Sequence, residues 1–126
     1  DKNYFVFVIS NQSGVGRGDY TEKDVIELHK WINLQLFKKG AHIDDFFFAP
    51  YYQKNKYYSS NYHRLLRKPR QGMFNLIKKK WPVDKSKLIL FGDQESDIKL
   101  AKKINAKSYL IKKNSDIFKI ILNKKL

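Results

Sequence analysis

Apolar and polar positions alternate along the chain in blocks that predict strands and helices in turn. Nearly continuous runs of Val, Ile, Leu and Phe are typical of strands in a parallel sheet, whereas apolar residues three or four positions apart indicate one face of a helix. The predicted strands are 4–10, 45–50, 88–92 and 108–112, and the predicted helices are 21–40, 71–81, 96–104 and a short one from Ser115. This alternation predicts an α/β fold with a parallel sheet and right-handed crossovers.

The first predicted helix has signals at both of its ends. Thr21 and Asp24 have the spacing of a capping box, and Gly40 provides a stop. Residues 51–68, in contrast, are polar and rich in tyrosine with little periodicity. They predict a long connection, and loops of that length are usually functional or disordered.

Length and charge narrow the class of protein. The 126 residues suit a single domain spanning 1–126. A net charge of +14 favours anionic partners such as phosphorylated metabolites or nucleic acid. Cysteine is absent, which excludes disulfides and thiolate metal sites, and no apolar run is long enough to span a membrane. We therefore expect a cytoplasmic protein without a membrane partner.

Ligands of open α/β sheets bind beyond the carboxyl ends of the strands, so the residues that follow each strand are the candidates for function. After the first strand, Ser10 and Asn11 lead into a stretch with three glycines, SGVGRG. Glycine lets backbone N–H groups approach an anion closely, but it also serves simple tight turns. Both interpretations of this loop remain open at the level of sequence.

The third strand is followed by GDQESD, which places Asp93 at a strand tip and Asp97 near a helix start. A carboxylate at a strand tip can hold a metal ion. An Asp near a helix start is as often an N-terminal cap as a metal ligand, and the sequence leaves these two roles of Asp97 open.

The few arginines are concentrated in two segments. The chain has four arginines against 22 lysines: Arg17 lies in the glycine loop, and Arg64, Arg67 and Arg70 lie around LRKPRQG. Arginine grips phosphate oxygens in a planar fork, so this placement favours phosphate binding over chance clustering. Lys68 precedes a predicted helix start, where negative charge is favoured, although an ordinary surface lysine is the alternative.

The segments ISNQSGVGRG, RKPRQGM and LFGDQESDI, in this order, resemble the second, third and fourth motifs of the haloacid dehalogenase-like phosphatases. The most similar subgroup is the capless one that contains histidinol phosphatase and D-glycero-D-manno-heptose 1,7-bisphosphate phosphatase. The resemblance extends from Tyr4 to about Ile111. It implies a three-layer Rossmann-like parallel sheet with helices on both faces, from which the N-terminal strand is missing.

The resemblance also implies roles for individual residues. Ser10 would hydrogen-bond the transferring phosphoryl group and Lys68 would stabilise its charge. Asn11, Arg67 and, on weaker grounds, Arg17 would contact the substrate. Asp93 would hold Mg²⁺ with support from Asp97. Phosphoryl transfer depends mainly on neutralising charge and positioning groups in line, and this set of residues suits that task.

The sequence departs from the family pattern in two places. The first motif, an Asp-x-Asp that supplies the nucleophile about forty residues before Ser10, is absent, so the chain as written should form no aspartyl-phosphate. We therefore expect either a fragment of a longer enzyme, which the abrupt start at Asp1 favours, or a remnant with another use. Many relatives also carry a structural zinc site, whose ligand positions correspond here to Ala49, Tyr51, Arg64 and Leu66. We expect no structural zinc, and we interpret His63 as a solvated loop residue.

The leading functional hypothesis is a Mg²⁺-dependent phosphatase of a small phosphorylated metabolite. A sugar bisphosphate such as heptose 1,7-bisphosphate is favoured over histidinol phosphate. A nucleic-acid 3′-end phosphatase is a less favoured alternative, which the charge of +14 would suit. A non-catalytic phosphate-binding domain is the third, if the nucleophile is truly lacking.

Overall fold

The structure of the chain is a computed structural model that describes residues 4–112 together with residues 119, 122 and 123. The helix predicted from Ser115 begins outside the described residues. Within them, four strands and five α-helices alternate along most of the sequence. They are β1 (Phe7–Asn11), α1 (Ser13–Arg17), α2 (Glu22–Phe37), β2 (Asp45–Ala49), α3 (Asn61–Leu66), α4 (Gly72–Lys80), β3 (Ile89–Gly92), α5 (Glu95–Lys103) and β4 (Lys107–Leu110).

The chain divides into two compact units, Asp1–Val83 and Asp84–Leu126. In the first unit β1 pairs in parallel with β2, in a register that sets Phe7 opposite Asp45. In the second unit β3 pairs in parallel with β4. The predicted strands therefore exist and pair in parallel, while the single domain over 1–126 stays a prediction.

The capping box predicted for α2 is present. The Thr21 hydroxyl accepts a hydrogen bond from the Asp24 N–H at 3.1 Å, and the Asp24 carboxylate accepts one from the Thr21 N–H at 2.8 Å. These reciprocal bonds satisfy two donors at the helix start. Further along the helix, the buried His29 ring stacks on Phe46 of β2, with centroids 4.2 Å apart.

The loop prediction for 51–68 was wrong in one part, because α3 forms within it. Ser60 caps this helix by accepting a hydrogen bond from the His63 N–H, and only Leu66 of its six residues is buried. A single buried residue leaves no helical periodicity to detect. Leu66 packs with Ala49 and Met73 in the apolar core of the first unit.

The end of α4 is fixed to the start of β2 through one carboxylate. Asp45 accepts hydrogen bonds from the Trp81 indole at 3.0 Å and pairs with the Lys80 ammonium at 2.7 Å. Burial would raise the pKa of Asp45, but the bonds from Lys80, Trp81 and the Phe46 N–H outweigh it and hold that pKa below its ordinary value.

In the second unit α5 packs on both strands of its sheet. Leu100 and Ala101 are fully buried on the inward face of the helix, while Lys102 and Lys103 are exposed. No helix among the described residues is both long and apolar enough to cross a membrane.

Candidate functional site

Two segments that lie far apart in sequence meet at the carboxyl end of β1. The Asn11 side chain clamps the backbone of Lys68, 57 residues away: its amide nitrogen donates to the Lys68 carbonyl at 3.3 Å, and its oxygen accepts from the Lys68 N–H at 2.9 Å. The Lys68–Pro69 peptide bond is cis. Asn11 thus holds the turn between α3 and α4 against the end of the strand.

The clamp places the Lys68 ammonium beside β1. Its Nζ donates to the carbonyl of Ile9 at 3.2 Å, next to Ser10 in the strand. The structure therefore brings together Ser10, Asn11 and Lys68. Because both polar atoms of the Asn11 amide bond the Lys68 backbone, the structure gives Asn11 a positioning role, and its contact with substrate stays a prediction.

The Ser10 hydroxyl belongs to a short chain of hydrogen bonds that sequence reasoning missed. Gln12 donates from its amide nitrogen to the Ser10 Oγ at 3.1 Å, and its amide oxygen accepts from the Tyr20 hydroxyl at 2.5 Å. Gln12 was visible in the loop after the strand, but no pattern connected it with Tyr20. Their contact depends on how the intervening residues fold.

Those intervening residues form α1 rather than an open loop. Gly14 and Gly16 are buried within the helix. A Cβ on Gly14 would collide with the Tyr20 ring, and one on Gly16 would collide with Tyr52 and the Pro50 carbonyl. Gly18 closes the helix in the left-handed region with φ of 83°. The glycines thus serve close packing and a turn, which is one of the two interpretations left open by the sequence.

The two arginines expected to contact substrate have different surroundings. Arg17 is half exposed and bonds locally, to the Asp19 carboxylate at 3.0 Å and to the Ser13 hydroxyl at 2.8 Å. The Nη1 of Arg67 is buried and has no hydrogen-bond partner in the part of the chain that the structure describes. A buried guanidinium nitrogen without a partner is costly, and an anionic oxygen would satisfy it.

The tyrosine-rich segment is held by hydrogen bonds around Asn55. The Asn55 amide donates to the Gly16 carbonyl at 2.8 Å, and its oxygen accepts from the N–H groups of Tyr57 and Tyr58. The Tyr58 hydroxyl donates to Glu22 at 2.8 Å. Desolvation and this bond to a carboxylate raise the pKa of Tyr58 to about 12.

His63, interpreted as a solvated loop residue, lies in the helix α3 and is partly exposed. Its ring packs against the rings of Tyr57, Tyr58 and Tyr62 at 5.3 Å and shares a hydrogen bond of 2.8 Å with Ser60. The aromatic residues of the segment gather around it. Ala49 and Leu66, two of the positions that the family resemblance assigns to zinc ligands, lie in the apolar core of the first unit.

In the second unit, Asp93 and Asp97 follow β3. Asp93 is exposed at the end of the strand. Asp97 is buried and caps α5, accepting a hydrogen bond from the Gln94 N–H at 3.1 Å. Its carboxylate lies against Gly92, where any Cβ would collide with it. The structure therefore shows the capping role of Asp97, and its role as a metal ligand stays a prediction.

The fit of these residues to Mg²⁺ is partial. Magnesium in phosphate-processing sites is commonly held by one or two carboxylates, with water and phosphate oxygens completing six ligands. Among the described residues, no three His, Cys, Asp or Glu side chains lie close enough to hold a metal. An exposed carboxylate such as that of Asp93 can supply one such ligand, and its role in holding Mg²⁺ stays a prediction.

Comparison with known proteins places this chain in a family. A family model described as HAD-hydrolase-like matches residues 65–116. The chain is 41% identical over 99 residues to the D-glycero-beta-D-manno-heptose-1,7-bisphosphate 7-phosphatase of Rhodopseudomonas palustris, covering 79% of this chain and 55% of the relative. It is 37% identical to the D-glycero-alpha-D-manno-heptose-1,7-bisphosphate 7-phosphatase of Photorhabdus laumondii, over 78% of this chain and 54% of the relative.

A solved structure has the same fold. It is the crystal structure of D,D-heptose 1.7-bisphosphate phosphatase from B. bronchiseptica complexed with magnesium and phosphate, with a TM-score of 0.71 and 24% identity over 86% of this chain and 56% of that one. The predicted α/β, Rossmann-like fold class is confirmed by this match. The chain spans about half the length of the relatives that it matches.

Proposed function

The chain belongs to the haloacid dehalogenase-like hydrolases, and from this membership we propose that it serves in the hydrolysis of a phosphate monoester of a small metabolite. The substrate we propose is a sugar bisphosphate of the heptose 1,7-bisphosphate kind. Support comes from the relatives, which are named as 7-phosphatases of that compound.

The observation that carries the proposal is the anchoring of Lys68 at the end of β1. Asn11 holds the Lys68 backbone by two hydrogen bonds, and the ammonium lies within 3.2 Å of the Ile9 carbonyl. A lysine held at both its backbone and its ammonium group is preorganised, unlike a solvated surface lysine. Preorganised charge is what stabilises the transition state of phosphoryl transfer.

The neighbouring groups would divide the work of binding phosphate. The Ser10 hydroxyl would donate a hydrogen bond to the transferring phosphoryl group, and Lys68 would neutralise the negative charge of that group. The buried Nη1 of Arg67, which has no partner within the described residues, would take an oxygen of the substrate. We keep Arg17 as a weaker candidate, because its guanidinium already bonds Asp19 and Ser13.

Magnesium would be held by Asp93, with Asp97 fixing the turn in which Asp93 lies. Bound there, Mg²⁺ would neutralise negative charge on phosphate oxygens. By family resemblance, the attacking carboxylate belongs to an Asp-x-Asp motif. The present sequence contains no such motif. Activity is therefore to be measured on the complete protein that the gene encodes.

The decisive experiment is phosphate release from a panel of phosphorylated metabolites by that complete protein. Lys68→Ala should lower the rate on the preferred substrate about a hundredfold or more, because fixed positive charge at the transferring group is lost. Lys39→Ala removes an exposed lysine and serves as the matched control. Equal rates for the two variants would refute the role of Lys68, and no release from any phosphate monoester would refute the function.

A companion variant tests the metal. Asp93→Asn keeps the size of this exposed side chain, so folding should be unaffected while Mg²⁺-dependent turnover is abolished. Thermal unfolding checks the first expectation, and a magnesium titration of the rate checks the second. Turnover with an unchanged magnesium dependence would contradict the assignment of Asp93.

A further inference from the structure

The hydrogen bonds around Ser10 suggest why its hydroxyl would point toward a ligand. A serine hydroxyl has one hydrogen to donate and two lone pairs that accept. The amide nitrogen of Gln12 donates to the Ser10 Oγ at 3.1 Å, so one lone pair is occupied. The hydrogen of Ser10 is not used in that bond.

The orientation of the Gln12 amide depends on Tyr20. An amide presents an oxygen at one end and NH₂ at the other, and the two ends exchange if the group turns over. In the structure the Tyr20 hydroxyl donates to the amide oxygen at 2.5 Å, and in this orientation the NH₂ group of Gln12 faces Ser10. Turned over, the amide would instead accept the Ser10 hydrogen.

We propose that Tyr20 and Gln12 are positioning residues that make Ser10 a hydrogen-bond donor to the phosphoryl group. This inference rests on the proposed phosphatase function. It adds Gln12 and Tyr20 to the residues that serve the site, although neither of them would contact the substrate. The tyrosine bonds the amide oxygen, the amide nitrogen occupies one lone pair of the serine oxygen, and the serine hydrogen can then be donated to a phosphate oxygen.

Gly14 leaves the space that the Tyr20 side chain occupies. The Tyr20 ring and hydroxyl occupy the space where a Cβ of Gly14 would lie. Any larger residue at position 14 would displace the ring, and with it the hydroxyl that fixes Gln12. The glycine is therefore required for the approach of Tyr20, which is a reason for its presence in the loop other than anion binding.

The experiment is a double-mutant cycle between Tyr20→Phe and Ser10→Ala in the complete protein. Inhibition by inorganic phosphate and kcat/KM for the preferred phosphate monoester are the two readouts. Tyr20→Phe should weaken both about three- to tenfold, the usual effect of one hydrogen bond. In the Ser10→Ala background the same change should have almost no effect, because the tyrosine acts through the serine.

Two further variants sharpen the cycle. Gln12→Glu places a carboxylate beside Ser10 that would accept its hydrogen, so it should reduce phosphate affinity more than Tyr20→Phe does. Tyr58→Phe removes a different tyrosine hydroxyl, one bonded to Glu22, and should leave both readouts unchanged. Additive effects of Tyr20→Phe and Ser10→Ala would overturn the inference and indicate a structural role.

An NMR measurement separates this inference from the proposed function. The side-chain amide resonances of Gln12 should shift in Tyr20→Phe and in Ser10→Ala but not in Tyr58→Phe. If they do not shift in the first two, the positioning inference is wrong whatever the enzyme does. If they shift but the protein neither binds phosphate nor releases it from any monoester, the proposed function has failed and not the hydrogen-bond chain.

Discussion

Asn11 shows at the scale of a single residue how the site is organised. Its amide hydrogen-bonds the N–H and the C=O of Lys68. One side chain thus supplies the hydrogen bonds that backbone groups in a turn do not receive from a helix or a sheet. Two bonds to one residue fix its orientation as well as its position. A role of Lys68 in substrate binding therefore depends on Asn11, whose amide atoms both bond the Lys68 backbone.

Asn11→Ala should destabilise the protein and weaken phosphate binding together. The change removes two part-buried hydrogen bonds to the Lys68 backbone, and losing the partner of a buried polar group costs on the order of 1–3 kcal/mol. Urea unfolding and inhibition by inorganic phosphate measure the two effects. Asn75→Ala, an exposed site in α4, is the control. Unfolding and phosphate inhibition that both match those of the control would contradict the clamp.

At the scale of elements, α2 is joined to β2 through an unusual contact. His29 is buried and stacks on Phe46, with Phe48 at 6.2 Å from its ring. Desolvation in these apolar surroundings lowers the pKa of His29 below its ordinary value of 6.5. The folded chain therefore favours the neutral imidazole.

The lowered pKa of His29 predicts that the folded chain loses stability in mild acid. Well above pH 6.5 the ring is neutral in both the folded and the unfolded chain, and the full stability is present. As the pH falls below 6.5 the unfolded chain takes up the proton more readily, and stability declines until the folded-state pKa is passed. The thermal midpoint should therefore drop between about pH 7 and about pH 5, and His29→Leu should reduce that drop. An equal drop in both proteins would exclude His29 as its cause.

At the scale of the whole molecule, the net charge of +14 is the dominant property. Such a charge draws any anion toward the surface, so it favours a polymeric phosphate as well as a small one. Arginine, which reads bases and grips phosphate, accounts for only four of the 26 cationic side chains. The abundance of lysine therefore supports general attraction more than recognition of a nucleic-acid sequence.

Salt dependence distinguishes the two kinds of substrate. A polynucleotide that contacts several lysines would lose about a thousandfold or more in affinity between about 50 and about 200 mM salt, because counterions are released along the polymer. A small sugar bisphosphate should lose only a few-fold. We expect the shallow dependence, measured as KM against salt concentration. A steep dependence together with 3′-end phosphate release from oligonucleotides would favour the alternative function.

The sequence alone predicted some of the residues of this site. Ser10 and Lys68 were predicted from a strand end and from an Arg-Lys-Pro segment, and the structure brings them together at β1. Gln12 and Tyr20 were not predicted, because a contact between two side chains on either side of a five-residue helix has no periodic signature. The role predicted for Asp93 in holding Mg²⁺ stays a prediction.

The sequence by itself determined the four strands, three of the helices and their order, but not the short helices α1 and α3. Apolar periodicity and capping residues act over a few neighbouring positions, so β1, α2, α4 and α5 could be read locally. Only the tertiary structure decided which polar atoms meet: the amide of Asn11 with the backbone of Lys68, and the hydroxyl of Tyr20 with Gln12. Such contacts depend on distances between segments that are separate in sequence, and packing of the folded chain sets those distances.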